Sequence, residues 1–126
     1  MTPVRLTLPL PAAALSPNAR VHWARKARIV KHHRESAWLL AVKQMREAGI
    51  RAPFWERAEA EVTFYWPTRH KRDRDNASSR LKSFWDGIAD AGVLADDAGL
   101  VHLPVRMEYD AENPRVEVII RALEEA

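Results

Sequence analysis

Cysteine is absent from the sequence. Disulfides, thiolate zinc sites and cysteine nucleophiles are therefore excluded together, and the composition fits a reducing compartment. No apolar run approaches the roughly 20 residues a membrane span needs, and none follows Arg5 at signal-peptide length. The expectation is a soluble, cytoplasmic protein that engages no membrane. Acidic residues are missing from the first 34 positions, which hold seven Lys/Arg; Glu35 is the first acid. Glycine is scarce, at four. What remains is 126 residues, 47% of them hydrophobic. That is enough for one packed domain, expected over residues 1–126, and too little for two.

Net charge is only +3, but its distribution is uneven. Residues 1–85 carry 17 basic and 7 acidic side chains; residues 86–126 carry 3 basic and 10 acidic. Such asymmetry predicts a basic surface for a polyanion and an acidic cluster elsewhere.

Val4 to Leu8 alternates apolar and polar, as a half-buried strand does, and Pro9 stops it. Residues 12–28 lack periodicity and contain the turn signal Ser16-Pro17-Asn18, so a long loop is expected there. A helix is predicted from about Lys31, with Trp38, Val42 and Met45 at helical spacing beside Leu39, and Gly49 as its stop. Ala58 to Trp66 alternates cleanly as a strand. A charged connection over residues 68–76 leads to a second helix. Leu81, Phe84, Trp85 and Ile88 form its stripe, Asp75 or Asn76 its cap, and Gly92 its end. Two strands close the chain, one running from Val101 to Tyr109 and one holding Val116, Val118 and Ile120, with Asn113-Pro114 in the turn between them. The order β-α-β-α-β-β predicts an α+β fold, a single mixed sheet of about four strands packed with two helices.

Asp73 and Asp75 are two apart, and in an extended segment both carboxylates lie on one side. Arg69, Lys71, Arg72 and Arg74 surround them. Carboxylates within a basic segment suit metal-assisted phosphodiester cleavage. Hard oxygens hold Mg²⁺, the metal activates water, and the cations draw in the DNA backbone. Asp96 and Asp97 complete such a site if the second helix folds back. The same alternation of Arg and Asp also reads as a self-neutralising solvated loop, and Asp96-Asp97 alone as a helix-exit turn. A second basic stretch holds Arg20, Arg25, Lys26, Arg28, Lys31 and Arg34, interleaved with His22, Trp23, His32 and His33. Trp23 reads either as a base-stacking aromatic or as a loop anchor. The adjacent His32-His33 pair does not suit zinc, because neighbouring helical side chains diverge by about 100°.

Lys71-Arg72-Asp73-Arg74-Asp75-Asn76, then Lys82, Asp86, Ala91-Gly92-Val93 and Asp96-Asp97, resembles the RusA family of Holliday junction resolvases. Leu6-Thr7-Leu8-Pro9 followed by Ser16-Pro17-Asn18 is similar to that family's first strand and loop. The resemblance implies a homodimeric endodeoxyribonuclease, nucleoid-associated or phage-encoded. It implies paired cuts in branched DNA at a four-way junction, with Mg²⁺ or Mn²⁺ and no small-molecule cofactor. It implies that Asp73, Asp75 and Asp97 bind the metal with Asp96 as a lesser neighbour, and that Lys82 is the essential helix lysine. Asn18, Arg20, Arg25, Lys26, Arg28 and Lys31 join the basic residues around the acids as the DNA-binding set. A two-fold dimer also suits a two-fold junction that needs two cuts.

Two departures stand out. The segment from Asn76 to Asp86 exceeds the family spacing by about one helical turn. Lys82 then lies about 4.5 Å further along the helix than expected, at roughly 1.5 Å per residue. Arg80 is a candidate substitute, and an exposed i,i+4 pair of Lys82 with Asp86 is the plain alternative reading. Gly99 stands where the family often has glutamine. If the longer helix displaces Lys82, the chain is expected to be a catalytically impaired branched-DNA-binding protein of the same fold.

Overall fold

The computed structural model describes residues 2–123, without the side chain of Asp97. The strand at Val4–Leu8 (β1) buries Val4, Leu6 and Leu8 and exposes Arg5 and Thr7. Its alternation is the sequence alternation made physical. β1 forms one edge of the sheet. Its outer edge is satisfied at Thr7 by Gln44. The Thr7 amide donates to Oε1 at 2.7 Å, and Nε2 donates to the Thr7 carbonyl at 2.8 Å. An amide side chain thus replaces a missing strand and blunts edge pairing.

The first long helix, α1, spans Trp23–Glu47 and so begins eight residues before the expected start. His22 caps it, Nδ1 accepting from the Ala24 amide at 3.2 Å. Its buried residues are Ala37, Ala41 and Met45, with none before Ala37. The first half therefore buries no side chain fully and has no apolar stripe, which is why periodicity missed it. Trp38, on the expected stripe, and Leu39 beside it are exposed. Gly49, at φ 70°, ends the helix, and the Ile50 amide returns to the Met45 carbonyl at 2.8 Å. That is the left-handed stop that glycine adopts without strain.

The central strand is Ala58–Trp66 (β2), which buries every second residue. It pairs antiparallel with Arg115–Ala122 (β5) and parallel with Leu100–His102 (β3) and Arg106–Tyr109 (β4). The sheet is mixed and has five strands. The single strand expected over residues 101–109 is split because Pro104 has no amide to give the ladder. Nor do the last two strands form a hairpin: β4 and β5 flank β2 on opposite sides. The connection crosses the end of β2, where the Asp110 amide donates to the Trp66 carbonyl at 2.8 Å.

After β2 the chain forms a short helix at Arg74–Ser79 (α2) and another at Lys82–Asp90 (α3). The expected single helix tightens between them. The amides of Arg80 and Leu81 bond back three residues, at 3.2 and 3.1 Å. Leu81, Phe84, Trp85 and Ile88 are buried as expected. α3 packs on α1 where a Cβ on Gly87 would overlap the Arg34 carbonyl oxygen. Beside that contact the Arg34 guanidinium grips Asp90 with two bonds, at 2.6 and 2.9 Å. This pairing holds the Asp90 carboxyl below its usual pKa. Among the described residues no helix is long and apolar enough to cross a membrane.

Candidate active site

The loop that delivers the acids is folded around Arg72. Its guanidinium lies 4.4 Å from the Trp66 ring centroid and donates to the carbonyls of Thr68 and His70, each at 3.0 Å. It also donates to the Thr68 hydroxyl at 2.7 Å. A predicted DNA contact is therefore engaged in shaping its own loop. The loop ends at Asp73, which caps α2 by accepting from the Asn76 amide at 3.1 Å. The cap is Asp73 rather than Asp75 or Asn76, because the helix starts at Arg74.

That start also changes the geometry of the acid pair. The expected extended segment would align both carboxylates. Instead Asp73 is extended, while Asp75 sits in the first helical turn. Asp75 borders a cleft of about 400 Å³ with Ser79, Lys82, Trp85, His102 and Val105. Asp73 borders a neighbouring cleft of about 270 Å³ with Lys71, Arg72, Asn76 and Arg80. Arg80 is thus on the Asp73 side, away from the position expected of a substitute for Lys82.

Lys82 lies seven residues beyond Asp75, nearly two whole turns, and borders the same cleft. Its ammonium is 3.1 Å from Asp86 Oδ1. β3 brings His102 to this cleft, edge-on to Trp85 with 5.0 Å between ring centroids. Sequence reasoning missed His102, since a polar residue in a strand signals nothing local.

Asp96 accepts from the Ala98 amide at 3.1 Å, the bend of a tight turn. Residues 97–99 then lead directly into β3. Asp97 begins that turn, and its side chain lies outside the described residues. Gly99 is required there: a Cβ would overlap the Glu56 carbonyl oxygen, so the family glutamine has no room. Among the described residues no group of three or more His, Asp or Glu side chains is gathered as a preformed metal cage. The donor chemistry fits a hard cation nonetheless. Mg²⁺ is typically held by one or two carboxylates and completes its shell with waters and substrate phosphates.

A hydrogen-bond clamp ties the N-terminal loop to this region. Asn76 Nδ2 donates to the buried Ser16 hydroxyl at 2.7 Å, and its Oδ1 accepts from Arg80 Nε at 3.1 Å. The exposed residues Asn18 and Arg20 lie two and four positions after Ser16. Arg25, Lys26, Arg28 and Lys31 are exposed along the first half of α1. Arg69, Lys71 and Arg74 are exposed on the acid-bearing loop and helix, Arg69 lying 4.1 Å over the Tyr109 ring. His33 is occupied otherwise. Nδ1 bonds the Ile29 carbonyl at 2.9 Å, Nε2 accepts from the Ala12 amide at 3.1 Å, and burial lowers its pKa.

A family model described as Endodeoxyribonuclease RusA matches residues 11–121. The chain belongs to the RusA family. The RusA match contains every candidate residue from Asn18 to Asp97. An uncharacterized protein of Xylella fastidiosa (strain Temecula1 / ATCC 700964) is 44% identical over 100 residues, which are 79% of this chain and 64% of that protein. This RusA-family chain thus spans 64% of the length of the curated relative it matches.

Proposed function

We propose that the protein is a divalent-metal-dependent endodeoxyribonuclease that resolves four-way DNA junctions, working as a single domain over residues 1–126. The observation that carries the reading is one shared cleft. Asp75 from α2 and Lys82 from α3 border it together, beside a basic loop, inside the region matched by the RusA model. Asp73, Asp75 and Asp97, with Asp96 beside them, are the residues that would hold Mg²⁺, or Mn²⁺ in its place. When bound, the cation stabilises charge at the phosphate and lowers the pKa of an attacking water. Lys82 offers a positive charge to the phosphate oxygens as they gain charge. Arg69, Lys71 and Arg74, with Asn18, Arg20 and the exposed cations of α1, hold the backbone without reading sequence. Two copies related by a two-fold axis supply the two cuts.

The second reading is a junction-binding protein of the same fold that cuts weakly or not at all. The 3.1 Å contact between Lys82 and Asp86 and the separate clefts of Asp73 and Asp75 favour it. One assay separates the two. Labelled four-way junction, flap and linear duplex are incubated with the protein, each with and without Mg²⁺. The expected result is nicking of the junction in Mg²⁺, none in EDTA, and little cutting of linear duplex. Junction binding without cleavage in Mg²⁺ or Mn²⁺ selects the second reading. Equal treatment of junction and linear duplex defeats both.

A further inference from the structure

The acids of α2 leave Trp23 without a role. This residue opens α1 and is 77% exposed, the most of any large hydrophobic side chain among the described residues. Single exposed apolar residues are common, so exposure alone means little. Here four features accompany it. The indole has a fixed neighbour: His22 is pinned as the helix cap, and its ring lies 5.6 Å from the indole at 31°. The surroundings are cationic, since Arg20, Arg25, Lys26 and Arg28 lie within five residues and are exposed. The helix buries no residue fully before Ala37, and Arg25 to Arg28 in its first turns are all exposed. Finally, the tip is tethered. Ser16 is bonded to Asn76 in α2, and the seven residues from Ser16 to Trp23 reach at most about 25 Å.

Cations alone suffice to hold a duplex, whose bases are stacked on one another and offer no free face. An exposed indole among cations suits a polyanion that does present an open base, as single strands do and as a branch point does when a pair at the crossover opens. A protein surface offering an apolar socket would have to desolvate the ring of cations as well. We infer that Trp23, with His22 beside it, is a base-stacking site for an unpaired nucleobase at the branch point of the DNA. The inference rests on the proposed function, and it names which part of the substrate the start of α1 reads.

Full-length wild type, Trp23→Ala and Trp23→Phe test it in EDTA, where the reading above expects no cutting. The probes are a four-way junction and a linear duplex of matched sequence, each carrying 2-aminopurine at the branch point or in mid-arm (the duplex at the corresponding positions). Trp23→Ala is expected to weaken junction binding about tenfold while changing duplex binding less than about twofold. Trp23→Phe, which keeps a π-face, is expected to stay near wild type. The branch-point probe changes fluorescence with wild type and not with Trp23→Ala. Three results overturn the inference: junction binding unaffected by Trp23→Ala, equal losses on junction and duplex, or the same response from the mid-arm probe. Loss of self-association by the alanine variant, with junction affinity intact, assigns the indole to a protein interface and also overturns it. A wild type that binds no DNA removes the proposed function itself. A junction-selective wild type matched by Trp23→Ala removes the stacking site alone.

Discussion

Replacement of Asp75 by asparagine is expected to slow junction cleavage by about 10³-fold and to leave junction affinity at least as high as in the wild type. Asparagine keeps the shape and removes the charge. The structural cost is small: Asp75 is an exposed first-turn residue, and an acid there is worth about 0.5 kcal/mol against the helix dipole. The cap is made by Asp73 and survives. A negative charge removed beside incoming phosphates does not weaken their binding. Cleavage and affinity therefore part company, which a merely structural lesion would not produce. Single-turnover cleavage and electrophoretic titration on one junction measure both. Normal cutting by the Asn variant would remove Asp75 from the chemistry.

Gly87→Ala is expected to lower the melting temperature by about 8 °C. Alanine in place of helical glycine favours folding by about 1 kcal/mol. Against that, the new methyl would overlap the Arg34 carbonyl oxygen and press on Ala37 Cβ at 2.8 Å. Backbone cannot turn aside as a side-chain tip does, so α1 and α3 must separate. Overpacking of this kind costs about 3 kcal/mol, leaving a net loss of about 2. Separation also loosens the Arg34–Asp90 pair that spans the same contact. A thermal scan by circular dichroism is sufficient. An unchanged or higher melting temperature would mean that the helices part without cost.

The parts of the fold that were legible are those with a buried face to inscribe. β1, β2 and β5 alternate because one side of the sheet is core, and Leu81 to Ile88 repeats every turn because α3 lies on it. The first half of α1 left no such mark. Arg25, Lys26, Arg28 and Lys31 face water, so nothing in their spacing distinguishes helix from loop. The break at Pro104 was written in the sequence but was outweighed by the alternation around it.

At the candidate site, spacing singled out Asp73 and Asp75 but implied the wrong local backbone for them, and Lys82 came from the family resemblance. An i,i+2 pair aligns in a strand and diverges at a helix start, and the cap at Asp73 decides which applies. The shared cleft of Asp75 and Lys82 follows from seven residues being nearly two turns, with the tight step at Arg80–Leu81 between them. His102 and the clamp from Asn76 to Ser16 were invisible. Their partners lie far away in the chain, the clamp spanning sixty residues.

Titration of Mn²⁺, followed by electron paramagnetic resonance, tests the central claim that the α2 acids hold the catalytic cation. Wild type and Asp75→Asn are compared at equal concentration, each with and without an equimolar four-way junction. The account predicts that wild type binds the ion, more tightly when the junction is present, and that the variant binds at least about tenfold more weakly. Equal Mn²⁺ affinity in the two proteins would contradict it.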